Sequence, residues 1–582
     1  MRSRIVEGKL DLRFGTASEI DNIGFTIEER GADGRFVPVA APMIASERNN
    51  TAESSSYAVQ LAAVPATGKF YIVDHSSRGA RAVHGPFEVG ASVGTPLLSN
   101  GVRGTDSSAE RFRWDDTANA IAQLKAARGS VSSNAGKLWV EQAGFHRVTA
   151  AQLSAAGVHL EGVPVEQIAV TFRGQGVPRR IVPETGAFGA NSYIDFLAGT
   201  HESLYTKAFP YLVRGDAVGV VAIGRNNWVA DTEAPAWYWA ESRYAPDNKY
   251  NHSSPTADPW HANELLAYAN QPVSHSVTLP MSSVATDAGD IAELQADLIG
   301  LTNFDGGEAD HHALLQINGQ TMADERFDGA VAHSVRLRLP LFGSGQIDAG
   351  VVLPGDTGFA FDMAYIDRIS LRYPRLPVAD GERLFIDALQ SGHVFYVEGA
   401  GDGDIAHSFL SGFEGPDSVG GFRVDGLADG EIVAYVGRGD DWNWIAQSVQ
   451  ATGGGALLPS DTGSSYWVSN VSGLRTPQVE ALETAAPLVA GQADYLIISP
   501  TLFLDELQPL VGLQQSRGLS VRVVDLQQIY DQFNDSVPEA IAIQRFLDAA
   551  APAMGVEYVL LMGGDTYDYK NNLGTGSISL VP

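Results

Sequence analysis

The sequence predicts a multidomain, mainly β protein that finishes in a partial α/β segment of doubly wound type. Three observations lead there. At 582 residues the chain is too long for one hydrophobic core, so about three to five domains are expected. Gly is abundant at 62 residues, and short alternating apolar runs recur between turn signals without long helical heptads, which favours sheets over bundles. Only over 486–582 does the period change, to strand, helix, strand, helix, strand. That order forces parallel strands with helices on the faces.

Residues 1–92 read as a β-sandwich with candidate strands KLDLRF, GFTIEER, RFVPVA, YAVQLAA, KFYIVDH and RAVHGPFEV. Residues 93–136 are Gly/Ser/Asn-rich around one short helix, DDTANAIAQLKAA, and read as linker. From 137 to 236 a small α/β or β unit is expected. Within it, LWVEQAGFHRVTAAQLSAAGV gives strand, turn at Gly144, strand, then a short helix ending at Gly157, and QIAVTFRGQGVPRRIV gives a hairpin on a Gly-Gln-Gly turn.

Residues 237–380 read as a jelly-roll-like β domain. Asn318-Gly319 between two alternating runs signals a tight hairpin. Val335, Leu337 and Leu339 alternate with Arg336 and Arg338 on a half-buried strand. Trp260-His261 is read as packing at a helix start. Residues 381–485 continue as further β-structure and linker, with HVFYVEG, GGFRVDGL and EIVAYVG as strands.

In the last segment ADYLIISP, LSVRVVD and VEYVLLMGG are the strands. Phe503, Leu507, Leu510 and Val511 mark a helix that Pro509 shortens or kinks. The second helix is expected to start on a capping box, Ser536-x-x-Glu539, to bury Ile543, Phe546, Leu547 and Ala550, and to close at Pro552.

Composition excludes several functions. The net charge is −30, from 39 basic and 69 acidic residues, a surface that repels phosphate backbones and anionic lipid. Nucleic acid is therefore not an expected partner. No apolar run approaches the roughly 20 residues of a membrane span. There is no cysteine, which removes disulfides, thiolate metal sites and a cysteine nucleophile within this chain. The start, MRSRIVEGKLDLRF, has no apolar h-region, so no signal peptide is visible.

TASEIDNIGFTIEER with KFYIVD and HGPFEV resembles fibronectin type III-like modules of secreted bacterial proteins. ADYLIISP, LQPLVGLQQSRGLSVRVVDLQQIYDQF, PEAIAIQRFLDAA and EYVLLMGGDTYDY, in that order, resemble the opening of the gingipain family of cysteine peptidases. GFHRVTAAQLSAAGV, IAVTFRGQGVP and SYIDFLAG resemble the pro-region of that family's secreted members, and DHHALLQINGQTMADERFDG with YIDRISLRYPR resembles the β-domain before the catalytic core.

The resemblance covers about three quarters of the chain, roughly residues 137–582. It implies a caspase-like doubly wound domain, protein or peptide substrates, and an extracellular or cell-surface location. It also implies a mechanism in which a histidine helps activate a cysteine thiolate and backbone N–H groups hold the oxyanion. Both catalytic residues of the family lie later than the third strand. The chain has no histidine after His407 and no cysteine, so no catalytic residue carries over. The expectation is the N-terminal portion of a longer peptidase precursor, without activity of its own. The alternative is a non-catalytic surface binding or adhesion protein whose β-modules take glycans or proteins.

Individual sites are few. Asp565 and Asp568 follow the third strand, where an open parallel sheet does its chemistry, and are candidates for the cleft or for Ca²⁺ through hard oxygens. His311-His312, beside Glu308 and Asp310, suggests metal, but neighbours on a strand point to opposite faces, which favours structural roles; Asp305, Glu308, Asp310 and, in PGDTG, Asp356 are acids that could bind Ca²⁺. His146 is expected exposed on its strand. GxSxG is absent, and the first α/β loop, SPTLFLDE, has no GxGxxG.

Overall fold

The computed structural model describes residues 1–93, 133–391 and 418–582, apart from 7, 20–21, 32–33, 40–42, 47–54, 77–79, 290, 305, 307–308, 342–344, 381, 447–448 and 484. The expected linker helix DDTANAIAQLKAA and the strand HVFYVEG lie outside the described residues. Mainly β structure prevails, and the chain divides into two compact units, Met1–Arg111 with Glu241–Ser282 and Asp290–Tyr373, and Phe112–Ala240 with Ser283–Gly289 and Pro374–Pro582.

In the first unit, Arg2–Val6, Lys9–Thr16 and Ser55–Leu61 form one sheet. Phe36–Pro38, Asn22–Arg30, Lys69–Ser76 and Arg81–Glu88 form the facing one. Alternation turns Leu10, Leu12 and Phe14 of one sheet toward Phe25, Ile27, Phe70 and Ile72 of the other. The same unit holds a second pair of sheets. Its hairpin His311–Ile317/Gln320–Phe327 turns on Asn318 (φ 50°) and Gly319 (φ 79°), the two left-handed residues a type I′ turn needs. Val335 and Leu339 are buried and Arg336 and Arg338 exposed, as their alternation predicts. Trp260-His261 is a short strand paired with Lys249–Tyr250 rather than a helix start. The adjoining run Asn263–Tyr268 pairs with Phe361–Ile366, and a sheet neighbour outweighs the helical pattern.

The second unit carries the parallel segment. Its first part contains β1 (Ala135–Val140), β2 (Gly144–Thr149), α1 (Ala150–Ala155), β3 (Ala169–Phe172), β4 (Gln175–Gly176) and β5 (Phe209–Arg214). α1 starts on a reciprocal cap between Thr149 and Gln152. The hairpin turns on Arg173-Gly174 (φ 48° and 76°), not on Gly-Gln-Gly, because Gln175 and Gly176 already pair with Phe172 and Thr171. The sheet runs β4-β3-β5-β1 and is completed by β6 (Gln478–Ala481), contributed from far along the chain.

His146 is 3% exposed, contrary to expectation. Its strand lies between Tyr193–Ala198 and the Arg475 backbone, and its Nδ1 sits 2.9 Å from the Gly144 carbonyl. The module of 135–214 completed by β6, termed the covering module, also grips the β-structure of 383–470. Arg147 forks onto Asp195 at 2.6 and 2.8 Å, the Tyr435 hydroxyl donates to Asp195 at 2.7 Å, and the Phe145 ring stacks on Tyr435 at 3.7 Å.

The α/β body follows as β7 (Tyr495–Ser499), α2 (Gln508–Ser516), β8 (Val521–Asp525), α3 (Leu526–Phe533), α4 (Ala540–Met554) and β9 (Tyr558–Leu561). The three strands are parallel in the order β8-β7-β9. β7 is central and buried from Leu496 to Ser499; Leu496 and Ile498 share a core with Ile529, Ile543, Phe546 and Ala550. β9 is an edge strand, with Tyr558, Val559 and Leu561 exposed by 52%, 43% and 46%.

Three helix details differ from expectation. Pro509 sits at the start of α2, where its missing N–H costs nothing, so it begins the helix rather than kinking it. α4 has no capping box: Asp535 and Ser536 are left-handed (φ 45° and 68°), and extended Glu539 takes the cap position. Pro552 lies within the last turn, and the helix ends at left-handed Gly555.

Candidate cleft at the carboxyl ends of the parallel strands

β7 connects outward to β8 on one side and β9 on the other, so the carboxyl ends of these strands form a topological switch point, where open α/β sheets bind ligands. A cleft of about 780 Å³ lies at this edge. Its floor is Pro500–Leu502 after β7, Asp525–Gln527 after β8, and Ser577–Leu580 from the segment after β9. Its roof is the covering module, through Lys137 and Trp139 of β1, Tyr205, and β6.

The floor is pinned by hydrogen bonds. Asp525 caps α3 by accepting the Gln527 N–H at 3.0 Å and also accepts the Thr501 hydroxyl at 2.9 Å, tying the ends of β7 and β8 together. Asp568 is 2% exposed and accepts the backbone N–H groups of Asn572 (2.6 Å) and Leu573 (2.9 Å), while its carbonyl accepts the Ser577 hydroxyl (2.7 Å). Exposed Asp565 accepts the Tyr569 and Ser579 hydroxyls, both at 2.8 Å. The two acids thus order the loop whose Tyr569, Ser577 and Ser579 line the cleft. Their oxygens face N–H and O–H donors.

Charge binds the roof to the floor. Lys137, 2% exposed, lies 2.8 Å from Asp531 of α3 and 3.4 Å from Glu480 of β6. Tyr205 meets Tyr569 edge to face at 4.6 Å. Burial raises the pKa of Tyr530, and the carboxylate of Asp565 raises it further. The Tyr205 hydroxyl is pushed up by burial, then by Asp565 and Glu539. Beyond the cleft rim, the Arg173 turn reaches Glu539, and Val537 of the loop before α4 is wholly buried in the core of the covering module.

The remaining expected residues stand apart from this site. His311 and His312 do face opposite ways. His311 pairs with buried Asp362 at 2.7 Å and stacks on Phe327, whereas His312 lies 2.9 Å from Asp324 and 2.5 Å from Asp356. Asp310 accepts the Phe304 and Gly329 N–H groups, both at 3.1 Å, and burial raises its pKa. Asp305 and Glu308 lie outside the described residues. Among the described residues no group of three or more His, Cys, Asp or Glu could hold a metal ion, and no helix is long and apolar enough to cross a membrane.

Sequence reasoning missed Lys137, Tyr205 and Asp531. No motif marks them; a lone lysine opening an apolar strand was the one available signal for Lys137.

Residues 489–582 match the family model of peptidase family C25. No curated protein sequence matches the chain. Among solved structures, the chain is similar to dimeric latent PorU from Porphyromonas gingivalis, with 16% identity and a TM-score of 0.48, over 78% of this chain and 44% of that one. It therefore spans less than half the length of that protein. A family 35 carbohydrate-binding module from an environmental isolate is matched over 23% of this chain and 90% of the module, at 17% identity and a TM-score of 0.16. The carbohydrate-binding module CBM36 in complex with calcium and xylotriose is matched over 23% and 98%, at 21% identity and a TM-score of 0.15.

Proposed function

We propose, for a chain whose residues 489–582 belong to peptidase family C25, the gingipain family, that it is the N-terminal portion of a gingipain-like cysteine endopeptidase acting outside the cell or on its surface. In this reading residues 1–92 and 237–380 are fibronectin type III-like and jelly-roll-like accessory sandwiches. Residues 137–236 are the pro-region, and 486–582 are the first part of a caspase-like domain.

The observation that carries the reading is the family match falling on a parallel three-stranded sheet whose carboxyl edge forms a cleft. Two features support it. The pro-region-like module roofs that cleft, as a segment that keeps a peptidase latent would. The exposed apolar residues of β9 suit the addition of further strands to the sheet. The catalytic thiolate and its histidine belong to those further strands, because this chain contains no cysteine. What this chain supplies is one half of the substrate cleft, its roof, and loops fixed by Asp525 and Asp568.

Two measurements test the proposal. The purified chain shows no thiol-dependent proteolysis; peptide turnover abolished by a thiol reagent would refute it. The reading frame downstream of the codon for Pro582 encodes more strands, a His and a Cys; a stop codon there in the genome, together with a saturable glycan-array signal, would establish a binding protein instead.

A further inference from the structure

The covering module has two unlike interfaces. Toward the β-structure of 383–470 it is buried and tightly bonded. Asp195 is wholly buried and takes the Arg147 fork and the Tyr435 hydroxyl, while Phe145, Tyr435, Trp442 and Trp467 form one aromatic cluster. Opening that face would take the Tyr435 hydroxyl from Asp195, whose Arg147 fork lies within the module, and would expose the aromatic cluster to water.

Toward the α/β body, outside the cleft, the contacts concentrate on one short segment, Asn534–Glu539. Val537 inserts from it into the module core, the cluster that also holds Val170, Phe209 and Tyr211, and is 0% exposed. Glu539 receives Arg173 Nη2 at 2.9 and 3.0 Å on its two oxygens and the Ser203 hydroxyl at 2.9 Å. The Arg173 side chain is 45% exposed, so water competes for this pair.

The segment itself is under tension. Asp535 and Ser536 are consecutive non-glycine residues at φ 45° and 68°, and the buried Ser536 hydroxyl has no hydrogen-bond partner among the described residues. Backbone of this kind is held in place by its surroundings and relaxes when they let go. β6 stays in the module sheet, whereas Leu488 and Ala493, ahead of β7, are already buried in the core of the α/β body.

We propose that Asn534–Glu539 is a catch that holds the α/β body under its roof, and that the cleft opens when the catch releases while the module stays on the β-structure of 383–470. The functional importance of that opening rests on the peptidase reading above; the catch itself does not. The movement parts Val537 and Glu539 from the module and Lys137 from Asp531, relaxes the left-handed pair, and carries Leu488 and Ala493 along with the body in whose core they are buried.

Because the chain is free of cysteine, a single introduced thiol reports accessibility without background. Leu502→Cys places it in the cleft floor, and Phe385→Cys, at a side chain 48% exposed in the 383–470 β-structure, serves as control. A bulky maleimide reacts slowly with the Leu502→Cys chain. Adding Arg173→Glu, or separately Val537→Ala, accelerates labelling about tenfold, the scale of losing one charge-assisted hydrogen bond or a few packed methyls. Arg173→Lys gives a smaller acceleration. The Phe385→Cys rate stays constant throughout. Unchanged labelling at Leu502→Cys in both backgrounds overturns the catch, and so does equal acceleration at both thiols, which would mean general loosening. Neither outcome depends on peptidase activity, so failure of the functional reading is read separately.

Discussion

Arg173 and Glu539, separated by 366 positions, meet with Nη2 at 2.9 and 3.0 Å from the two carboxylate oxygens. One sits at the tip of a β-hairpin and the other at the first turn of a helix, so the pair joins a mainly β module to a parallel α/β body. Beside it, Val537 serves the core of one from the chain of the other. The consequences of this joint, and of the site it frames, are open to measurement.

Lys137 is a buried cation between Asp531 and Glu480. Lys137→Met removes the charge and leaves Asp531 facing an apolar side chain. Denaturant unfolding should show a loss of about 3 kcal/mol, the usual scale when one partner of a buried pair is removed. Asp531→Asn, which keeps a hydrogen-bond acceptor, should cost less.

Asp568 closes the loop after β9 through two backbone N–H groups, at 2.6 and 2.9 Å. In Asp568→Ala the amides of Asn572 and Leu573 lose their acceptor. Hydrogen exchange there should accelerate, with a stability loss of about 1–3 kcal/mol. Asp565 is exposed, and Asp565→Ala should stay within about 0.5 kcal/mol.

Burial lowers the pKa of His146 to about 4, against the lesser raising effect of the Gly144 carbonyl; Arg475 and then Arg383 also lower it. The folded state therefore holds the ring neutral where the unfolded chain, with its ordinary value near 6.5, takes up a proton. Stability is complete above about pH 6.5, falls as pH drops toward about 4, and levels off below. The loss should be about 3 kcal/mol over that window. His146→Gln, which can still donate to the Gly144 carbonyl, should flatten the decline in unfolding midpoints measured between these pH values.

The open edge of β9 should make the chain self-associate. Val559→Lys and Leu561→Lys place charges on exposed edge positions and should shift the sedimentation profile toward monomer at high concentration. Stability should change by no more than about 0.5 kcal/mol.

The sequence by itself determined the elements whose signal is local. Asn318-Gly319 makes its hairpin because only two left-handed residues fit a type I′ turn, and few residues adopt that backbone cheaply. Val335 and Leu339 are buried because alternation with arginine leaves a strand one apolar face. The three parallel strands of the last segment follow from apolar runs alternating with helical stripes, and the absence of cysteine excludes a thiol nucleophile in this chain.

Only the tertiary structure decided what depends on distant partners. Glu539 reads in sequence as half of a capping box, but a left-handed Ser536 and an arginine from a remote hairpin make it a docking carboxylate. His146 reads as exposed until the strands beside it close over the ring. The cleft is invisible for the same reason: its floor and roof come from 500–580 and 137–205, and β6 joins a sheet whose other strands lie more than two hundred residues earlier. Period and propensity act over a few residues, whereas burial, charge pairing and strand completion are set by which surfaces meet, and no short-range pattern encodes that meeting.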